Sequence, residues 1–284
     1  MRVAVVGLGG MGSRIAGRLL DAGHELVVWN RSPERMTPLV ERGAIAAESP
    51  RDAAEHVEVV ITMLADPDAL QAVTDGDEGI AAGAHAGLTM VEMSTVGPDA
   101  IERLASVLPD GTGLVDAPVL GSINEVESGS LSIFAGGADD VVERVAPLLA
   151  NLGTVLHVGP SGSGARAKLV ANATLVGVIA VLGEAIALGR TLGLGDDMIG
   201  DVLGRTALAD QAARRLQAIA SGDYRPRFPL SLARKDADLI HEAAAGLRAV
   251  EAARTWLADA ESEGKGSLDY SAVLATILER PTSV

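Results

Sequence analysis

The chain has 284 residues, 48% of them hydrophobic and only 2% aromatic, enough for one or two domains with aliphatic cores. A formal net charge of −15 argues against nucleic acid or an anionic membrane as partner, although a local basic pocket can still hold a small anion. The absence of cysteine removes disulfides, thiolate catalysis and cysteine metal sites, and the five histidines are scattered, so no metal site is expected. With no signal or transit segment before the first strand, a soluble cytoplasmic protein is expected.

Arg2 to Val6 is a short β-branched run that reads as a buried strand. Gly7-Leu8-Gly9-Gly10-Met11-Gly12 follows at once, and Ile15, Ala16, Leu19 and Leu20 then recur at helical spacing up to Gly23. Strand, G-x-G-x-x-G turn and helix in this order point to a dinucleotide, with its phosphates at the helix N-terminus. Glu25 to Trp29 reads as the second strand and ends in Asn30-Arg31-Ser32-Pro33. A carboxylate for the ribose 2′-hydroxyl is missing there. Asn30, Arg31 and Ser32 instead offer a cation and donors suited to a 2′-phosphate, which favours NADPH. The alternative is a capped helix start beside a solvated arginine.

Further strands are expected at 57–63, 88–93 and 113–116, alternating with helices, so the first domain reads as a doubly wound parallel sheet. Ligands of such sheets lie outside the carboxyl ends of the strands, which puts Met63, Leu64 and Ala65, and Ser94 and Thr95, where a nicotinamide would lie. The segment Asp116 to Ser122 enters a short helical stretch ending near Gly129. Its Gly121 and Ser122 amides could hold an anionic group, or could form a plain turn. Strands at 131–134 and 154–158, with a helix at 139–149 between them, close the domain.

Gly159-Pro160-Ser161-Gly162-Ser163-Gly164 marks the boundary, giving domains 1–160 and 161–284. Beyond it the strand signal stops. The run from Ser163 to Leu192 is apolar on nearly every side and reads as the spine of an all-α domain. Its length would suffice for a membrane span, but its Ala and Gly content and its polar interruptions favour a core helix. Lys168 and Asn172, four residues apart, share a face of that helix. A lysine entering a core beside an amide is costly unless paired or used; otherwise it snorkels to the surface. Further helices are expected near 196–206, 208–220, 231–246, 248–262 and 270–279. The spine has more apolar surface than a small helical domain readily covers, which suggests a homodimer.

Several motifs in order resemble the β-hydroxyacid dehydrogenase family, which includes 3-hydroxyisobutyrate dehydrogenases and glyoxylate/succinic semialdehyde reductases; imine reductases are more distantly similar. The motifs are GLGGMGSRIAGRLLDAGHELVVWNRS at 7–32, STVGP at 94–98, DAPVLGSINEVESGSL at 116–131, GSGARAKLVAN at 162–172, FPLSLARKD at 228–236 and DYSAV at 269–273. The resemblance implies an N-terminal Rossmann domain and an all-α C-terminal domain on one long helix. It implies Lys168 as the catalytic residue, with Asn172 as its partner in binding a small carbonyl, hydroxy acid or imine. Leu120, Gly121 and Ser122 then fall in the substrate loop and Thr95 at the nicotinamide end. Lys235 matches a lysine closing over cofactor and substrate, with Asp236 beside it. Two departures stand out: Leu120 replaces a common serine, and Ala171 replaces the first of two asparagines. Both put the usual small hydroxy acids in doubt and leave room for a bulkier or less polar carbonyl or imine. The implied reaction is a reversible hydride transfer with Lys168 as general acid/base. A lysine's ordinary pKa of about 10.4 would be lowered there by burial and neighbouring cations.

Overall fold

The structure, a computed structural model, describes residues 1–280 and divides into two compact units, Met1–Lys168 and the chain from Leu169 onward. Among the described residues the first unit holds a nine-stranded sheet. Its strands are β1 (Arg2–Val6), β2 (Glu25–Trp29), β3 (Ile45–Ala46), β4 (Val59–Thr62), β5 (Thr89–Glu92), β6 (Gly113–Asp116), β7 (Val119–Leu120), β8 (Leu131–Gly136) and β9 (Gly153–Gly159). The helices are α1 (Gly12–Asp21), α2 (Thr37–Val40), α3 (Pro50–Glu55), α4 (Pro67–Thr74), α5 (Ile80–Gly83), α6 (Pro98–Val107), α7 (Ile123–Ser128) and α8 (Asp139–Leu149).

The parallel part runs β3-β2-β1-β4-β5-β6, so the strand order reverses at β1, between β2 and β4. That reversal opens a crevice at the carboxyl ends of β1 and β4. Alternation along β1 supplies both faces. Val3 and Val5 pack with Ile15, Leu19, Val28 and Ile61, while Ala4 and Val6 pack with Val60, Leu70, Leu88 and Met90. The far edge departs from the all-parallel expectation, because β8 runs antiparallel to β6 and β7. The connection from β7 to β8 holds only the short α7, and a parallel crossover needs a dozen or more residues. The two-residue strands β3 and β7 are too short to leave an alternation in the sequence.

The second unit is helical. The helix α9 (Ser163–Thr191) supplies its spine, followed by α10 (Asp196–Leu203), α11 (Ala209–Ser221), α12 (Leu230–Ala243), α13 (Arg248–Ala260) and α14 (Val273–Glu279). By length and composition alone α9 could cross a membrane. Its Leu169, Val176, Ile179, Leu182 and Ile186 are instead buried with Ile240, Leu257 and Leu274 of α12, α13 and α14, as in a core helix. Burying each such side chain contributes roughly 1.5–3 kcal/mol. Glycine within the helix has a packing reason, since a Cβ on Gly183 would lie 2.6 Å from Ile277 Cδ1. The expected helix at 270–279 begins as a 3-10 turn, Tyr270–Ala272, because the Asp269 carboxylate caps it and accepts from Ser271 N.

Candidate active site

The turn after β1 closes tightly on its neighbours. Gly7 takes φ +95°, and a Cβ there would lie 2.5 Å from Met63 O at the end of β4. A Cβ on Gly12 would lie 1.9 Å from Gly7 O, so the third glycine of the motif lets α1 start directly over the first. Among the described residues, α1 begins without a side-chain cap, and its first turn holds no acidic side chain. Its leading amides and the dipole therefore suit an anion, as the pyrophosphate of a dinucleotide requires.

Asn30 braces this loop. Its Oδ1 accepts from Leu8 N at 2.8 Å and its Nδ2 donates to Ser32 O at 3.1 Å. The amide thus shapes the glycine turn and the end of β2 together, while Arg31 is exposed and Ser32 half-buried. Arg35 is a further cation that motif reading missed. Its guanidinium reaches 4.0 Å from where a Cβ on Gly9 would stand. Arg31 and Arg35 are four residues apart, a spacing that offered the only sequence signal.

At the carboxyl ends of β4 and β5 the two expected nicotinamide loops are tied to each other. Leu64 N donates to Ser94 Oγ at 2.7 Å, and Ser94 N donates to Glu92 Oε1 at 2.6 Å. Thr62 Oγ1 donates to the other Glu92 oxygen. Glu92 is fully buried, and it organises Met63–Ala65 and Ser94–Thr95 from below. Its hydrogen bonds come from residues up to 30 positions away, so no local pattern in the sequence marks this role.

β6 ends at Asp116, a fully buried carboxylate that accepts from Gly162 N and Ala165 N, both at 2.7 Å. Burial pushes this carboxyl above its ordinary pKa, while the backbone amides pull the other way. Beyond it, at the end of β7, Leu120 is an exposed apolar side chain. Gly121 has φ +134°, and a Cβ there would lie 2.9 Å from Glu125 Cβ. Ser122 donates both its backbone N–H and its hydroxyl to Glu125 Oε2, each at 2.7 Å, in a capping box at the start of α7. Of the two residues expected to hold a substrate acid group, Ser122 has both its donors engaged by a carboxylate of the chain itself.

Lys168 and Asn172 lie one turn apart on α9 and are only 8% and 1% exposed. A lysine so enclosed is not a snorkelling surface residue. Within the second unit, Asn172 Nδ2 donates to Asp236 Oδ2 at 2.6 Å, and Lys235 Nζ lies 2.7 Å from Asp236 Oδ1. An ionised carboxylate only accepts, so the Asn172 amide orientation is chemically fixed and its carbonyl oxygen points away from Asp236. The structure thus brings Asn172, Lys235 and Asp236 into one cluster in the second unit. The glycine turn, residues 30–35, Met63–Ala65 and Ser94–Thr95 gather at the carboxyl edge of the sheet in the first.

Known proteins resemble this chain over nearly its whole length. The family described as the NAD binding domain of 6-phosphogluconate dehydrogenase matches residues 2–159, and the NAD-binding family of NADP-dependent 3-hydroxyisobutyrate dehydrogenase matches 162–277. The 3-sulfolactaldehyde reductase of Escherichia coli is 32% identical over 97% of this chain and 95% of its own. A 3-hydroxyisobutyrate dehydrogenase of Pseudomonas aeruginosa is 33% identical over 95% of this chain and 96% of its own. Among solved structures, the Mycobacterium tuberculosis 3-hydroxyisobutyrate dehydrogenase with L-serine superposes with a TM-score of 0.87 at 26% identity, covering 98% of this chain and 99% of that one. The dinucleotide turn, the helical second unit and these full-length similarities together make the chain a member of the β-hydroxyacid dehydrogenase family, an NAD(P)-dependent oxidoreductase.

Proposed function

We propose that the protein catalyses reversible hydride transfer between NADP(H) and a small carbonyl/alcohol pair, with Lys168 as the proton carrier. The enclosure of Lys168 one turn from Asn172, within the GSGARAKLVAN motif that resembles the family, carries this reading, because it sets an amine and a fixed amide on one helix face. The nicotinamide, when bound, supplies or accepts the hydride. Lys168 Nζ, as ammonium, donates a proton to the oxygen that becomes the alcohol, and as amine removes it in the reverse direction. Asn172 presents its carbonyl oxygen as an acceptor, held in that pose by Asp236, so it orients a hydroxyl or ammonium donor. Arg31 and Arg35 offer two cations near the end of β2 for a 2′-phosphate, which supports NADP over NAD.

A second reading has its own observation. Glu125 occupies both Ser122 donors beside the exposed Leu120, which favours a less anionic carbonyl or an imine over a small hydroxy acid at that loop. The deciding experiment is a titration of NADPH against NADH, followed by a turnover panel of glyoxylate, succinic semialdehyde, 3-hydroxyisobutyrate, serine and a cyclic imine. NADPH binding with aldehyde-acid turnover supports the first reading. Turnover confined to the imine moves the protein to the second. NADH preference removes the phosphate argument.

The proposal includes a homodimer. Val170, Val181 and Leu188 of α9 are each more than half exposed and fall on one face of the helix, and Leu192, just past its end, is exposed as well. Gly177 lies on the same face with open space beside it. A narrow, mostly apolar stripe, with Glu184 along its edge and a small residue near its middle, can pair with its own copy about a two-fold axis, which suits a second copy of the chain.

A further inference from the structure

We propose that Asp116 is a positioning residue for the reaction: its buried carboxylate fixes the first turn of α9, and through that turn Lys168, to the end of the strand that leads into the loop at 117–122. This inference rests on the reading of Lys168 as proton carrier.

Asp116 ends β6, and its next residue is pinned as well, Ala117 N donating to Glu92 O at 2.7 Å. From that fixed point the two carboxylate oxygens reach separate amides of the helix start: Oδ1 accepts from Gly162 N and Oδ2 from Ala165 N. The approach is close on both sides. A Cβ on Gly136 would lie 2.5 Å from Oδ1, and one on Gly164 would lie 2.9 Å from Oδ2. A side chain at either glycine would therefore collide with the carboxylate and with the backbone around it.

Lys168 follows Ala165 by three residues, so the anchored amide and the lysine share a turn of one rigid helix. An anion at a helix N-terminus is favourable, yet an exposed serine or aspartate would cap a helix without the desolvation that a fully buried carboxylate incurs. The burial makes sense if the cap also sets position. It joins the segment after β6 and the lysine-bearing turn through one short side chain, with two direct hydrogen bonds at 2.7 Å.

The test is Asp116→Asn, which keeps the shape and one acceptor but turns an NH2 toward an amide donor. It is assayed beside Lys168→Ala with whichever panel substrate gives the highest turnover. The expected result is a ten- to hundred-fold lower kcat with the NADPH Kd within two-fold of wild type. A cap with only a structural role would lower the melting temperature and leave kcat per folded enzyme intact, and that outcome overturns the inference. If Lys168→Ala is inactive while Asp116→Asn is normal, only the Asp116 inference falls. If Lys168→Ala keeps its kcat, the reading of Lys168 falls whatever Asp116→Asn does. Should Asp116→Asn fail to fold, hydrogen exchange of the wild-type Gly162 and Ala165 amides decides. Protection equal to that of β1 and β4 supports the anchor, and exchange as fast as in an exposed turn removes it.

Discussion

In the proposed reaction Lys168 carries the proton, Asn172 orients the substrate and Asp236 holds Asn172. Replacing Lys168 by alanine is expected to reduce turnover at least a thousand-fold, within the roughly 10²–10⁴-fold span of general acid–base catalysis, with NADPH affinity nearly unchanged. Single-turnover kinetics beside fluorescence titration will separate the two. The double variant Arg31→Ala/Arg35→Ala should weaken NADPH by about tenfold or more, since charge-assisted bonds contribute about 1.5–3 kcal/mol each, and should spare NADH. Equal losses for both cofactors would place the arginines away from the 2′-phosphate. Glu125→Ala frees the Ser122 N–H and hydroxyl that the carboxylate now engages. KM for succinic semialdehyde is expected to fall relative to an uncharged aldehyde of the same length; an unchanged ratio would mean the loop does not meet the acid group. The sequence exposed Lys168 and Asn172 because both sit as polar residues in an apolar run. It hid Glu92, Asp116 and Glu125 among ordinary acidic residues, because their roles rest on partners contributed by folding. The Asn172 bond to Asp236 spans 64 positions.

Elements place those residues, and two joints can be probed. Gly12→Ala would thrust a Cβ to 1.9 Å from Gly7 O. Overpacking of this kind costs about 1–3 kcal/mol, so a lower melting temperature and loss of dinucleotide binding are expected together. Retained binding would show that the turn can open without cost. At the end of α9, Arg190 meets Asp196 of α10 through two hydrogen bonds, 2.9 and 2.8 Å. The Arg190 hydrogen bond holds the Asp196 carboxyl below its ordinary 3.8. A depressed carboxyl pKa gives stability that is present above the unfolded value of 3.8 and is lost as pH falls through the folded one. Both groups are partly exposed, so screening keeps the pair within about 1 kcal/mol. Urea midpoints of Arg190→Ala should therefore lie slightly below wild type at pH 7 and converge with it as the pH falls below 3.8. A gap that persists in acid would point to lost packing instead.

At the scale of the whole molecule, the exposed stripe on α9 predicts association. Val181→Glu/Leu188→Glu should shift the mass in solution from twice 29.0 kDa to 29.0 kDa with the circular dichroism unchanged. A wild-type protein already at 29.0 kDa would end the dimer proposal. The sequence by itself determined the dinucleotide turn, the alternating first domain and the helical second one. Glycine spacing, β-branched runs and an apolar helix act over a few residues, and their periodicity survives in the unfolded chain. Only the tertiary structure decided the antiparallel edge at β8, the engagement of Ser122 by Glu125, and the fixing of Asn172 by Asp236. Those follow from which distant side chains meet in low dielectric, where each buried donor must find an acceptor, and that pairing is written in no local pattern.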